Sequence, residues 1–545
     1  MDSWPRYSKV PQRCGKVNGF LLTVIGAGVL LVVLGAMLWK LGRPAVMPGT
    51  GRAVTSGAGE TDGAREPLVL YCAAGIRPPV EQIVADYQRV YGEAIQIQYG
   101  GSNTLLSQTE VSGTGDLYLA ADESYTLLGR EKGLVRETIP LATMRPVIAV
   151  RRGNPKQIRG LDDLLRDDVT TAIANPDQAA IGKTVRRLLQ DAGKWDVLQS
   201  HVTRTGVFKP TVPEVANDVK LGAVDAGIIW DTTVYLYDEM EAVTVPEFNA
   251  SVSNVTIAVL SSSKQPTRAL RFARFLAARD QGLVTFTKHG FQVVEGDPWA
   301  EVPELTFFCG AVNRRAVESV VKAFSVREGV TVNTVYNGCG ILTAQMRTIR
   351  DKQQASGFPD NYMACDRYYL DTVGEWFHDG LDVSDTEVVI AVPKGNPAQI
   401  QSLQDLTRPG VRVSVGQPDQ CTIGVLTRQV LEAEHVYDAV MQNVVTQTAS
   451  SALLIPTVVT GSVDATLAYA TDTRAESDKV DAIRIESSAA QAIQPLAISR
   501  TSKYPRLSQR LQDAIASARS EFEQAGFHFR LADELLTPSS EVRSP

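Results

Sequence analysis

The sequence predicts an α/β protein made of two tandem two-lobed domains behind a single N-terminal transmembrane helix. Three observations carry that expectation: one charge-free apolar run near the N-terminus, six motifs that occur twice in the same order, and strand-like runs alternating with helical ones in each copy. Of 545 residues, 44% are hydrophobic and 21% charged, which is the composition of a globular chain with room for two or three domains. The formal net charge of −7 and the lack of any Lys/Arg tract argue against nucleic acid as a partner.

Residues 1–18 carry Arg6, Lys9, Arg13 and Lys16 and are expected in the cytoplasm. Residues 19–40 contain the run Phe20–Trp39, long enough at helical rise to cross a bilayer. The basic residues before it place the bulk of the chain on the periplasmic or extracellular side of the cell (inner) membrane. No small-x-small site follows the run, which favours an uncleaved anchor over a cleaved signal peptide. Residues 41–66, rich in Gly, Ala, Pro, Thr and Ser, read as a flexible tether, and residues 536–545 as a disordered tail.

The two copies span 67–299 and 304–533. Pro67–Gly75 (PLVLYCAAG) is matched by Glu304–Val312 (ELTFFCGAV), and Tyr99-Gly-Gly-Ser-Asn-Thr-Leu by Tyr336-Asn-Gly-Cys-Gly-Ile-Leu. Leu119-Ala-Ala-Asp122 corresponds to Met363-Ala-Cys-Asp366, and Gly153-Asn-Pro-Lys-Gln-Ile to Gly395-Asn-Pro-Ala-Gln-Ile. Asn175-Pro-Asp-Gln-Ala-Ala-Ile-Gly182 is echoed by Gln417-Pro-Asp-Gln-Cys-Thr-Ile-Gly424, and Val224–Trp230 by Val463–Tyr469. A period this long means two whole domains, expected to fold independently and to meet near Pro303.

In the first copy Leu68–Tyr71, Ala94–Tyr99, Leu117–Ala120, Val169–Ala174, Ala226–Trp230 and Val255–Leu260 read as strands. Pro79–Tyr91, Thr104–Val111, Tyr125–Lys132, Gly182–Ala192, Val212–Leu221 and Thr267–Ala277 read as helices. The alternation implies a doubly wound parallel sheet, and the path out through Met144–Val150 and back implies a second lobe. Every shared motif falls at a strand end or a helix start, where open α/β sheets bind ligands. Gly101-Ser102-Asn103 and Ile181-Gly182-Lys183 open two such helices, whose free N–H groups suit an anion. Ser102 adds a hydroxyl, unless it only caps its helix.

These motifs resemble those of the molybdate-type periplasmic solute-binding proteins of ABC transporters, which have the type II periplasmic-binding fold. That family carries a small-residue run closing in Ser, an aromatic-x-Ser-Ser segment, an I-S-A-D segment, a G-N-P turn, a D-P-x-x-x-P-A-G helix start and a G-I-V-Y strand. Together with the expected anchor, the resemblance implies extracytoplasmic capture of a small, molybdate- or tungstate-like oxyanion, for an ABC importer with a permease partner or for sensing. Its ligand positions fall on Gly75, Ser102, Ile181, Val212 and Trp230 in the first copy and on Val312, Cys339, Ile423, Ser451 and Tyr469 in the second. One of two serines and the tyrosine are replaced in the first copy, and both serines in the second, which argues against molybdate itself.

Cys309, Cys339, Cys365 and Cys421 all stand at cleft motifs of the second copy, whereas the first has only Cys72, matching Cys309. Four thiols at one cleft suggest a thiolate-bound metal ion, disulfides, or a thiol-redox module that has lost transport. Cys72 reads as a packing thiol. None of the five histidines lies at a cleft motif, and no nucleophile–base pair is visible, so a non-enzymatic role is expected. Asp122 and Asp366 read as caps.

Overall fold

The first sheet of copy one is mixed. In this computed structural model, which describes residues 66–249, 251–352 and 357–532, Leu68–Ala73 pairs in parallel with Ile95–Gly100 on one side and Leu117–Ala120 on the other. The returning strand Ser253–Leu260 then inserts antiparallel between Leu117–Ala120 and Val135–Met144, and Gln292–Val293 closes the edge. The purely parallel sheet expected from the alternation thus fails at the return, because a chain coming back from a second lobe enters the first from the opposite end. The expected anchor, nearly all of the tether and the tail lie outside the described residues. Among the described residues no helix is long and apolar enough to cross a membrane.

The second lobe has the strand order Val207–Lys209, Thr171–Ala174, Ala226–Trp230, Pro146–Arg151, Met240–Val243. Copy two repeats the plan in the same register: Cys72 is level with Tyr99 and Leu119, and Cys309 with Tyr336 and Met363. The helices follow from their apolar spacing. Arg77–Tyr91 buries Val80, Ile83, Val84 and Tyr87 against the sheet and stops at Gly92, whose φ of +66° a side chain would disfavour. The Gly-Asn-Pro motifs are turns: the Asn154 side chain accepts from the Ile158 N–H (2.9 Å) and donates to its carbonyl (2.7 Å), and Asn396 does the same with Ile400. The buried Ile158 and Ile400 explain why the motif ends in isoleucine.

The copies differ where the chain crosses between lobes. In copy one it breaks at Arg145, between Val135–Met144 and Pro146–Arg151, because Pro146 has no N–H to donate and restricts the residue before it. In copy two Val388 stands at that register, opposite Tyr469 as Pro146 is opposite Trp230, and the strand Leu381–Pro393 runs unbroken. Its two lobes therefore share one ten-stranded sheet, whereas copy one has separate sheets of six and five.

The copies are locked together. Residues from 66 onward cluster as one unit, and the segment near Pro303 is pinned. Trp299 stacks edge-on with Phe275 and donates its indole N–H to the Tyr91 hydroxyl (2.7 Å), while Asp297 accepts the backbone N–H groups of Arg506 and Leu507 (2.9 Å each). Glu328, 3% exposed, lies between Arg274 of copy one (3.2 Å) and Arg510 of copy two (2.8 and 3.1 Å). The halves, expected to fold independently, share a buried carboxylate at this junction, which resists parting them.

Candidate ligand-binding site

Ser102 is the first residue of the helix Ser102–Ser112 and is 1% exposed. Its Oγ accepts the Ala121 N–H (3.3 Å), which leaves the hydroxyl proton for another acceptor. Tyr118 donates to its carbonyl (2.8 Å) and fixes the turn. Ile181 lies in the first turn of the helix Ala180–Asp191, and Val212 starts the helix Val212–Leu221. Gly75 sits in the tight turn after the first strand, where a Cβ would stand 3.4 Å from the Trp230 indole and 3.7 Å from Val212. Gly101, one residue before Ser102, abuts the carbonyls of Gln178 and Pro210 on the other lobe. Gly75, Val212 and Trp230 therefore adjoin one another, and the start of the Ser102 helix lies against Gln178 and Pro210, which just precede the helices carrying Ile181 and Val212, so three helix N-termini lie at the lobe junction.

The cleft is closed. The Asn103 N–H donates to the Gln178 carbonyl (3.1 Å) and its side chain to the Asp177 carbonyl (2.8 Å). Lys183 bridges the lobes by donating to Ser124 Oγ (3.2 Å) beneath the Tyr125 ring. Asp122 caps its helix through the Ser124 N–H (3.0 Å), and Asp366 does the same through Tyr368 (2.9 Å). Cys72 packs at full burial, which pushes its thiol far up, as expected of a structural cysteine.

Copy two closes similarly: Gly338 abuts the Gln420 and Ala449 carbonyls, and Tyr369 donates to the Pro418 carbonyl (2.6 Å). Val312, Ile423, Ser451 and Tyr469 are all buried at positions equivalent to those of copy one. The four cysteines do not assemble into one site. Cys339 and Cys365 face each other with sulfurs 3.0 Å apart. Cys309 turns its thiol to the Gly310 carbonyl (3.6 Å), as Cys72 does to Ala73, and Cys421 turns to the carbonyls of Gln417 and Thr448. Among the described residues no three or more His, Cys, Asp or Glu side chains are arranged to hold a metal ion, and every described cysteine is a free thiol. The shared four-thiolate metal is thus corrected to a pair, because Cys309 directs its thiol to the Gly310 carbonyl and Cys421, at the start of a helix in the other lobe, directs its own to backbone carbonyls.

The electrostatics of that pair are asymmetric. Burial raises Cys339, but the Cys365 thiol, the Thr422 and Tyr362 hydroxyls and the Cys365 N–H (3.1 Å) outweigh it and hold the thiol below its ordinary value. Cys365 moves well above, chiefly because it shares its hydrogen with Cys339. Burial pushes Cys421 up to about 11. The sequence alone did not single out Gly338, Gly310, Tyr362 or Thr422. The signal was available in the differences between copies, where Ala73 becomes Gly310 and Ala180 becomes Thr422.

The profile of the family described as bacterial extracellular solute-binding protein matches residues 68–292 and again 305–528. The chain belongs to that family, duplicated in tandem. Its relatives include the molybdate-binding protein ModA of Mycobacterium tuberculosis, 28% identical over 233 residues, or 42% of this chain and 86% of that protein. A binding protein of Haemophilus influenzae is 28% identical over 225 residues, 41% of this chain and 90% of its own. Among solved structures, the periplasmic molybdate-binding protein of Azotobacter vinelandii aligns with a TM-score of 0.36 and 15% identity, covering 42% of this chain and all of that one. The family is one of solute-binding proteins.

Proposed function

We propose that the protein is a membrane-anchored extracytoplasmic receptor whose first copy captures a small tetrahedral oxyanion for an ABC importer or for sensing. The observation that carries this reading is the convergence of Ser102 and three helix N-termini on one closed lobe junction. Neutral donors of this kind stabilise an anion without a formal positive charge, since each helix start offers N–H groups that its own turn cannot use. Gly75, Ser102, Ile181, Val212 and Trp230 form the set, with Trp230 walling the side where the molybdate-type family has a phenol. Loss of that phenol and of one serine points to a ligand other than molybdate within the same shape class. The ModA relatives, named for binding molybdate, support the class.

Calorimetry of the intact protein, stripped of ligand, with molybdate, tungstate, sulfate and phosphate tests the reading. Heat with one of them that disappears in Ser102→Ala is expected; no heat with any overturns it. The membrane anchor, with the N-terminus in the cytoplasm, is tested by a membrane-impermeant maleimide. Cys14 should label only after the cells are permeabilised, and labelling in intact cells refutes that topology.

A further inference from the structure

Three positions around the lobe junction change together between the copies. Ala73, Ser102 and Ala121 of copy one become Gly310, Cys339 and Cys365 of copy two. The changes are sterically linked. A Cβ at Gly310 would stand 2.8 Å from the Cys339 sulfur and would collide with that of Cys365, so the methyl present in copy one has been removed where the sulfurs need space. The backbone is otherwise the same: Cys365 N–H donates to Cys339 Sγ (3.1 Å) just as Ala121 N–H donates to Ser102 Oγ (3.3 Å). Three buried hydroxyls surround the pair, those of Tyr362, Thr422 and Tyr469; none has an oxygen or nitrogen partner, and those of Tyr362 and Thr422 face the Cys339 sulfur instead. Tyr362 and Thr422 flank Cys339 closely, while its counterpart Tyr118 in copy one is satisfied by the Ser102 carbonyl.

We infer that the cleft of copy two is a dithiol site for a small trivalent thiophilic oxyacid of the arsenite type, held covalently by Cys339 and Cys365. Uncharged arsenous acid and two thiols condense with loss of two waters. Two As–S bonds form, two As–O bonds break, each thiol proton leaves on a departing hydroxide, and arsenic stays trivalent. The remaining As–OH meets the hydroxyls of Tyr362, Thr422 and Tyr469, which no oxygen or nitrogen of the protein satisfies. A tetrahedral dianion is disfavoured here because two sulfurs, weak donors at best, stand where copy one has the Ser102 hydroxyl donor and the Ala121 methyl. Tetrahedral zinc lacks its third and fourth ligands. A simple disulfide between the two would leave the three hydroxyls unsatisfied. The buried sulfurs are reached when the lobes open. The inference does not depend on the ligand of copy one.

The test uses the full chain, reduced, desalted under nitrogen and confirmed by mass to carry free thiols, then incubated with sodium arsenite. Arsenic stoichiometric with the chain after a second desalting is expected, with a raised melting temperature. Cys339→Ser with Cys365→Ala restores the residues of copy one, so the variant has a backbone-compatible precedent. It should lose arsenite affinity by about a hundredfold or more, whereas Cys309→Ser and Ser102→Ala retain it. No arsenic on the reduced protein, or equal retention by the folded double variant, overturns the inference. So does a Cys339–Cys365 disulfide that survives reduction. Retention in Ser102→Ala separates this result from any failure of oxyanion binding in copy one.

Discussion

Glu328→Gln should weaken the junction between the copies more than any other single polar change. The carboxylate lies 2.8 Å from Arg510 and 3.2 Å from Arg274, with side chains 3%, 14% and 9% exposed. At those separations and an effective dielectric of about 20, each pair attracts by roughly 5 kcal/mol, against desolvation of several kcal/mol per ion. An amide removes the attraction and leaves two buried guanidiniums, one of which, Arg274, already has Nε and Nη2 without partners. The expected cost is about 3–5 kcal/mol, a large fraction of a stability of about 5–15 kcal/mol. Urea unfolding followed by tryptophan fluorescence and circular dichroism should show a lower midpoint and two separated transitions. The charges also set a pH dependence. Glu328 is buried, which alone would raise it, but Arg510 and Arg274 prevail and lower it. Its contribution is therefore complete above the ordinary carboxylate value and lost as pH falls through the depressed folded one. A variant within about 1 kcal/mol of wild type at neutral pH, with one coincident transition and the same acid profile, would refute this account of the junction.

Gly101→Ala places a methyl against the Gln178 carbonyl and should hold copy one open. Anion affinity is expected to fall by about 5- to 150-fold, with a larger radius of gyration by X-ray scattering; unchanged affinity would count against closure at this point. Ser102→Ala removes a ligand donor and orphans the buried Ala121 N–H, for a stability loss of about 1–3 kcal/mol by thermal melting. Burial raises Asp472 to about 6 against 3.8 unfolded, so the native state binds the extra proton and stability falls as pH rises between those values. Asp472→Asn should thus stabilise the protein at pH 7–8 by up to about 3 kcal/mol. The gain should vanish below about pH 4, and a gain independent of pH would reject the assignment.

The duplicated motifs made the lobe junction legible because each marks a strand end or a helix start, and those ends are where this topology brings the chain together. Ser102, Ile181, Val212 and Trp230 were readable for that reason, as were most strands and helices of copy one. The crossing strand was not. Val135–Met144 interrupts its apolar residues with Arg136, Glu137 and Pro140, and no local period reveals that it pairs with the distant Ser253–Leu260. The helix Trp195–Thr205 was also missed. The cysteines show the sharpest limit: four motif positions predict proximity of backbone, but the facing of side chains depends on pleat and capping, which singled out Cys339 and Cys365.

The unbroken strand Leu381–Pro393 gives the copies different clocks. Lobes that hinge at a proline break, as at Arg145–Pro146, part by rotating a few backbone torsions, whereas lobes sharing one continuous ribbon must bend or shear a hydrogen-bonded sheet to separate. Copy one is accordingly expected to open and close on a shorter timescale than copy two, whose lobes part only by deforming the ten-stranded sheet.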